Sequence, residues 1–148
     1  AGRGLSRDLA GGSASMSAPL VLIIEDDPDL VRLYEILLGL VGAPLQTDVC
    51  RDGKSALERV QRAPEPRIIL LDINMPKMNG LEFLKELRND PALHNISVFV
   101  MTTSNDDKDR FEAYNYNVAG YVIKPITFEN FVAAVSILNN FWQLCEQP

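Results

Sequence analysis

The chain has 148 residues, of which 47% are hydrophobic and 23% are charged, and its formal net charge is −6. This length and composition predict one globular domain with a sizeable core. The negative balance argues against a nucleic-acid-binding surface, which needs clustered lysine and arginine. No apolar run approaches the roughly 20 residues that a membrane span needs, so no membrane association is expected. Cys50 and Cys145 lack metal-ligand spacing, which indicates reduced thiols in a cytoplasmic protein.

The first 15 residues differ in composition from the rest of the chain. They are rich in Gly, Ser and Ala and have no sustained apolar period. A signal peptide would need a longer apolar core than this segment has. We therefore interpret residues 1–15 as an added leader and expect it to be disordered. Residues 16–148 are then the domain, which we expect to end in an extended helix.

Five apolar segments of strand length alternate with five segments of helical periodicity. The predicted strands are 19–25, 45–50, Ile68–Leu71, 96–101 and Gly120–Ile123. The predicted helices are Pro28–Val41, a segment from Asp52 to Pro64, 80–87, 106–115 and 127–144, with Ser104 and Asp107 capping the fourth and Thr127 the fifth. Regular strand–helix alternation predicts a parallel sheet with right-handed crossovers and helices on both faces.

Polar side chains stand where the predicted strands end. Glu25 and Asp26 follow the first strand, Asp72 the third, Thr102 the fourth and Lys124 the fifth. These groups can converge, because the carboxyl ends of parallel strands lie at one edge of the sheet. Clustered carboxylates repel one another unless a cation joins them, and an all-oxygen ligand set with few charges suits Mg²⁺.

This set of side chains also meets the needs of phosphoryl transfer, which are positioning and charge neutralisation. Mg²⁺ and Lys124 would balance the charge of a phosphoryl group, and the Thr102 hydroxyl would donate a hydrogen bond to it. Asp72 is the candidate nucleophile, because a carboxylate can form an aspartyl-phosphate. A strand-end aspartate on its own is as often a helix cap or a loop residue.

Four motifs in the same order resemble the receiver domain of bacterial two-component response regulators. They are IIEDDP at 23–28, LLDINMPKMNG at 70–80, VMTT at 100–103 and GYVIKP at 120–125. The resemblance covers residues 19–145 and implies a flavodoxin-like, doubly wound α/β fold with strand order 2-1-3-4-5. It implies a signalling switch controlled by phosphorylation, not an enzyme, with a sensor histidine kinase as partner.

The resemblance also implies a role for each residue of the cluster. Asp72 would accept phosphate from the kinase's phosphohistidine and would contribute to the metal site. Asp26 would bind Mg²⁺ directly, Glu25 would bind it through water, and the backbone carbonyl of Asn74 would be a further ligand. Lys124 would contact the phosphoryl group.

A second group of residues matches the switch elements of the family. Thr102 and Tyr121 correspond to the switch pair, in which the hydroxyl moves toward the phosphoryl group and the ring turns inward. The Lys124–Pro125 bond is expected to be cis. Thr103 departs from the family, which usually has a small residue there, and its bulk would narrow access for water or a phosphodonor.

The end of the chain suggests partners. The run MTTS at 101–104 and the tail NNFWQL at 139–144 resemble stand-alone regulators that partner bacterial phytochromes. The last predicted helix carries two apolar stripes, and one sheet contact can bury only one of them. We therefore expect a homodimer through this helix. The residues expected in its interface are Phe141, Trp142 and Leu144.

Two other functions compete with this interpretation. An aspartyl-phosphate phosphohydrolase of the haloacid dehalogenase type usually carries a second aspartate two residues after the nucleophile, where this chain has Asn74. Without that acid the leaving group has no evident proton donor. A receiver used only as a scaffold, without phosphorylation, is disfavoured by the intact set of acids, lysine and threonine.

Overall fold

The computed structural model describes residues 18–41, 44–75, 78–93, 95–103, 105–134 and 136. Strands and helices alternate along these residues. The elements are β1 (Leu20–Ile24), α1 (Pro28–Val41), β2 (Gln46–Cys50), α2 (Gly53–Val60), β3 (Ile68–Leu71), α3 (Gly80–Asn89), β4 (Ser97–Thr102), α4 (Asp107–Asn115), β5 (Gly120–Ile123) and a last helix, α5, over 128–134.

The sheet has five parallel strands in the order β2-β1-β3-β4-β5, which confirms the predicted fold class and strand order. Its register aligns the ends of β1 and β3, whereas β4 continues beyond them to Thr102. Ile24 of β1 lies opposite Leu71 of β3, and Leu71 lies opposite Val100 of β4. The next residues after β1 and β3, Glu25 and Asp72, are therefore neighbours at the edge of the sheet.

The core has two halves, one on each face of the sheet. Helices α2, α3 and α4 pack on one face, and α1 and α5 pack on the other. Strands β1 and β3 are buried along their whole length because side chains from both of their faces are covered. This explains why both strands are continuous apolar runs without polar alternation.

Some element boundaries differ from the prediction. Helix α3 continues through Asn89, beyond the predicted end at residue 87, and stops where Asp90 adopts an extended conformation. Helix α4 is capped by Asp106, whose side chain accepts a hydrogen bond from the Lys108 N–H, and Ser104 lies outside the described residues. Thr127 caps α5 as predicted, since its Oγ1 accepts from the Asn130 N–H at 3.1 Å.

Several expectations concern parts of the chain that the structure does not describe. The leader at 1–15 lies outside the described residues, as do Phe141, Trp142 and Leu144 of the expected dimer interface. Among the described helices, none combines the length and apolar character that crossing a membrane requires.

Tyr34 is a polar group in the half of the core between α1 and α5. It is 1% exposed, its ring packs on Phe131 with 6.4 Å between centroids, and its hydroxyl has no hydrogen-bond partner among the described residues. Burial, and then the negative charges of Glu25 and Asp72, raise the pKa of the Tyr34 hydroxyl. The phenol therefore stays neutral and contributes to the core chiefly through its ring.

Tyr34→Phe is expected to stabilise the protein, because it keeps the ring and removes a buried hydroxyl that lacks a partner. The unfolding free energy should rise by about 1 kcal/mol. Urea denaturation of the two proteins at neutral pH measures this difference. A loss of stability of similar size would mean that the hydroxyl makes a stabilising hydrogen bond.

Candidate functional site

Asp72 stands directly after β3, and the loop that follows holds it in place. The Asn74 N–H donates to Asp72 Oδ1 at 3.2 Å, and the Gly80 N–H donates to the Ile73 carbonyl at 2.8 Å. A Cβ added to Gly80 would lie 2.5 Å from the Asp72 carbonyl oxygen, so only glycine allows α3 to begin this close to the strand end. The tight loop fixes the position of the carboxylate.

Two further acids meet Asp72 at the edge of the sheet. Glu25 and Asp26 follow β1, and one carboxylate oxygen from each of Glu25, Asp26 and Asp72 lies within 4.8 Å of the others. Glu25 is 1% exposed and Asp72 is 4% exposed, whereas Asp26 is open to solvent. The acid cluster, as we call these three residues, is thus buried on one side and accessible on the other.

Lys124 brings a positive charge into the acid cluster from the end of β5. Its backbone N–H donates to the Thr102 carbonyl at 2.7 Å, and the Lys124–Pro125 bond is cis, as expected. Its Nζ lies 3.0 Å from Glu25 Oε1 and 3.5 Å from Asp72 Oδ1, with a nearly buried side chain. One lysine therefore contacts both buried carboxylates of the cluster.

The buried acids are electrostatically strained despite this lysine. Burial, and then the negative charge of Asp72, raise the pKa of Glu25 from 4.5 to about 7, while Lys124 opposes the shift. Burial likewise raises the pKa of Asp72, against the opposing effects of Lys124 and of the Asn74 N–H. The three carboxylate oxygens are hard ligands at a spacing that suits a divalent cation, whose charge would relieve the repulsion.

Thr102 and Asn74 meet beside the acid cluster. Thr102 is fully buried at the end of β4. The side-chain amide nitrogen of Asn74 lies 3.4 Å from Thr102 Oγ1 and 3.3 Å from Thr103 Oγ1. The resemblance implied a role only for the backbone carbonyl of Asn74. This side-chain contact could not be predicted, because the spacing of the three residues along the chain carries no signal for it.

Tyr121 contacts α4 in this structure. The ring is partly buried on β5, with the Arg110 guanidinium carbon 5.3 Å from its centroid and the Tyr114 ring centroid at 6.4 Å. The 5.3 Å distance is within the range of a cation–π contact. Arg110 and Tyr114 are four residues apart on one helix face, so their proximity to each other was readable from the sequence, but their contact with Tyr121 was not.

Stability of the metal-free protein should fall as the pH rises, because the pKa of Glu25 is raised in the fold. Between 4.5 and about 7 the folded protein keeps a proton that the unfolded chain has released, so the unfolding free energy decreases across that window. For Glu25 alone the loss approaches about 3 kcal/mol. The shift at Asp72 has the same sign. Denaturation in EDTA from pH 5 to 7.5 measures the slope. Glu25→Gln should flatten it, and equal slopes for both proteins would contradict the assignment.

The comparisons with known proteins agree with the geometry of the site. The family described as "Response regulator receiver domain" matches residues 21–136. The probable methanogenesis regulatory protein FilR2 of Methanothrix harundinacea is 32% identical over 128 residues, covering 83% of each chain. Response regulator Rcp1 of Synechocystis is 31% identical over 129 residues, which cover 83% of this chain and 88% of Rcp1.

Solved structures agree. The phosphorylated cyanobacterial phytochrome response regulator RcpA aligns with a TM-score of 0.75 at 29% identity, over 88% of this chain and 98% of RcpA. The Mn²⁺-bound form of Rcp1 aligns with a TM-score of 0.73 at 31% identity, over 84% of this chain and 94% of that one. The predicted resemblance to receivers, and to the phytochrome-associated group, is confirmed, and the phosphohydrolase alternative is not favoured.

The match over 21–136, the parallel sheet and the acid cluster give one conclusion. Receiver domains bind a divalent metal and are phosphorylated by histidine kinases. The chain therefore belongs to the response regulator receiver domain family of two-component, phosphorylation-based signalling.

Proposed function

We propose that Asp72 is the residue that accepts the phosphoryl group from a histidine kinase. The observation that supports this proposal is the convergence of a buried Asp72 with two further acids and Lys124 at one strand edge. A carboxylate oxygen of Asp72 attacks phosphorus, and the bond between phosphorus and the kinase histidine nitrogen breaks. That nitrogen keeps the electron pair and takes up a proton, leaving a neutral imidazole and an acyl phosphate on Asp72.

Each neighbour of Asp72 has a part in this step. Lys124 Nζ, at 3.5 Å from Asp72 Oδ1, is placed to contact the incoming phosphoryl oxygens. Asp26 would bind Mg²⁺ directly, Glu25 would bind it through water, and Asp72 and the Asn74 carbonyl would be the remaining protein ligands. The all-oxygen donors support Mg²⁺, and Rcp1, a relative with Mn²⁺ bound, supports a divalent ion. When bound, the cation neutralises charge on the phosphoryl oxygens.

Output depends on the Thr102–Tyr121 pair in this proposal. The Thr102 hydroxyl moves toward the phosphoryl group, and the ring of Tyr121 turns inward from its contacts with Arg110 and Tyr114 on α4. The surface around α4 changes as a result, and the protein signals by contact with another protein and not with nucleic acid. The similarity to RcpA supports a bacterial phytochrome as the kinase. The location that we propose is the cytoplasm.

We also propose that the protein is a homodimer through its last helix, with Phe141, Trp142 and Leu144 in the interface. The described part of that helix supports this. Phe131 is buried against the sheet, whereas Phe128 and Val132, one helical turn apart, are 56% and 38% exposed. The same helix therefore buries one apolar face and presents another, which is a feature of association surfaces.

Asp72→Asn should abolish phosphorylation, because the amide that replaces the carboxylate is not a nucleophile for this reaction. Incubation with acetyl phosphate and Mg²⁺, followed by intact mass measurement, should show a gain of one phosphate in the unsubstituted protein and none in the variant. Asp29→Asn, which changes an exposed aspartate outside the acid cluster, is the matched control and should still gain the phosphate. Full labelling of the Asp72→Asn protein would refute the assignment.

Mg²⁺ should stabilise the fold by binding the acid cluster. At a hundred times its dissociation constant the gain in unfolding free energy is about 2.7 kcal/mol. Asp26→Ala should remove most of the Mg²⁺-dependent rise in Tm, while Asp29→Ala should keep it. Calorimetry with Mg²⁺ and with EDTA decides the matter, and an equal rise in the Asp26→Ala protein would exclude Asp26 as a ligand.

Removal of the end of the last helix should separate the dimer without unfolding the domain. A chain ending at Asn139 loses three large apolar side chains per subunit, and a two-fold interface uses each of them twice. Sedimentation equilibrium at tens of micromolar should give a dimer for the full chain and a monomer for the shortened one. A full-length monomer, or a dimer that survives the truncation, would reject this interface.

A further inference from the structure

We propose that the side chain of Asn74 is a positioning group that holds the Thr102 hydroxyl in its unphosphorylated place. This inference rests on the proposed phosphorylation of Asp72. Asn74 Nδ2 lies 3.4 Å from Thr102 Oγ1 and 3.3 Å from Thr103 Oγ1. We call these three residues the Asn74 bridge. It connects the loop after β3 to the end of β4.

Asn74 contacts both the proposed phosphoryl acceptor, Asp72, and the switch threonine, Thr102. The Asn74 backbone N–H donates to Asp72 Oδ1 at 3.2 Å, while its side chain reaches the hydroxyl of Thr102. An amide nitrogen carries two hydrogens, so it can donate one to each threonine. Thr102 is fully buried, whereas Asn74 and Thr103 are exposed, so the amide contacts the hydroxyl from the solvent side.

Thr103 gives the bridge its second acceptor. Receivers usually have a small residue at this position, as the resemblance implies, and a small apolar side chain would offer the amide no hydroxyl. In this chain the Thr103 hydroxyl anchors the Asn74 amide at 3.3 Å on the outer side of Thr102. The amide is therefore held where it contacts Thr102.

Phosphorylation and the bridge compete for the position of the Thr102 hydroxyl. When the hydroxyl moves toward a phosphoryl group on Asp72, its contact with the amide, already 3.4 Å long, lengthens further and is lost. The bridge therefore favours the unphosphorylated arrangement. A net neutral hydrogen bond corresponds to a change of roughly two- to tenfold in an equilibrium constant, and this is the expected bias.

The test uses beryllofluoride as a mimic of the phosphoryl group, at saturating Mg²⁺ so that differences in metal affinity do not enter. Its dissociation constant is measured by isothermal titration calorimetry. Asn74→Ala should bind beryllofluoride about two- to tenfold more tightly than the unsubstituted protein, because the opposing hydrogen bond is gone. Asn89→Ala, which changes an exposed asparagine at the last position of α3, is the matched control and should leave the affinity unchanged.

A double-mutant cycle separates positioning through Thr102 from a general effect on the loop. In a Thr102→Val background, which keeps the shape but lacks the hydroxyl, Asn74→Ala should no longer change the affinity. In a Thr102→Ser background, which restores the hydroxyl, the tightening should return. A purely structural role of Asn74 would give the same shift in all three backgrounds.

The outcomes distinguish this inference from the function it rests on. If the unsubstituted protein binds beryllofluoride but Asn74→Ala leaves the affinity unchanged or weaker, the positioning role is wrong and the phosphorylation proposal stands. Tightening that persists in Thr102→Val also overturns the role. If beryllofluoride does not bind the unsubstituted protein at saturating Mg²⁺, the proposed function fails and the inference fails with it.

Discussion

The repulsion between carboxylates at one strand edge is the constraint on which the rest of this site depends. Glu25 and Asp72 are almost completely buried, Asp26 lies beside them, and Lys124 is the cation that contacts the two buried acids among the described residues. Three negative charges against one positive charge leave an excess that burial makes costly. Burial, and then the negative charge of Asp72, raise the pKa of Glu25 to about 7. A divalent cation or a proton would reduce this excess of negative charge. The fold therefore creates a site that favours a bound cation.

The sheet produces this crowding through its register and through the loops that follow each strand. Ile24 lies opposite Leu71, so the next residue on each strand is an acid at the same height. Gly80 lets α3 begin against the backbone of Asp72, which keeps the loop short and the carboxylate fixed. Lys124 reaches the two buried acids from the end of β5, at one edge of the sheet, and its backbone N–H donates a hydrogen bond to β4. Fixed charges of this kind need little rearrangement when a phosphoryl group arrives.

Much of this arrangement could be predicted from the sequence, because buried parallel strands are continuous apolar runs and their polar ends are conspicuous. Side-chain contacts between loops could not. The amide of Asn74 reaches Thr102 and Thr103 only because of the conformation of two loops, and Arg110 lies over Tyr121 only because of the angle at which α4 packs. Which apolar face of α5 packs on the sheet could not be predicted either, because the helix carries apolar residues on two faces. Phe131 is buried, whereas Phe128 is exposed.

The proposed function requires that the phosphoryl group is carried by Asp72, the carboxylate that directly follows β3. Borohydride reduction of the phosphorylated protein, followed by peptide mapping with mass spectrometry, tests it most directly, since an acyl phosphate is reduced to an alcohol and an ordinary carboxylate is not. The reduced side chain should be found at position 72, and the reduction should depend on both the phosphodonor and Mg²⁺. Reduction at Glu25 or Asp26 instead, or a phosphate that resists borohydride altogether, would contradict it.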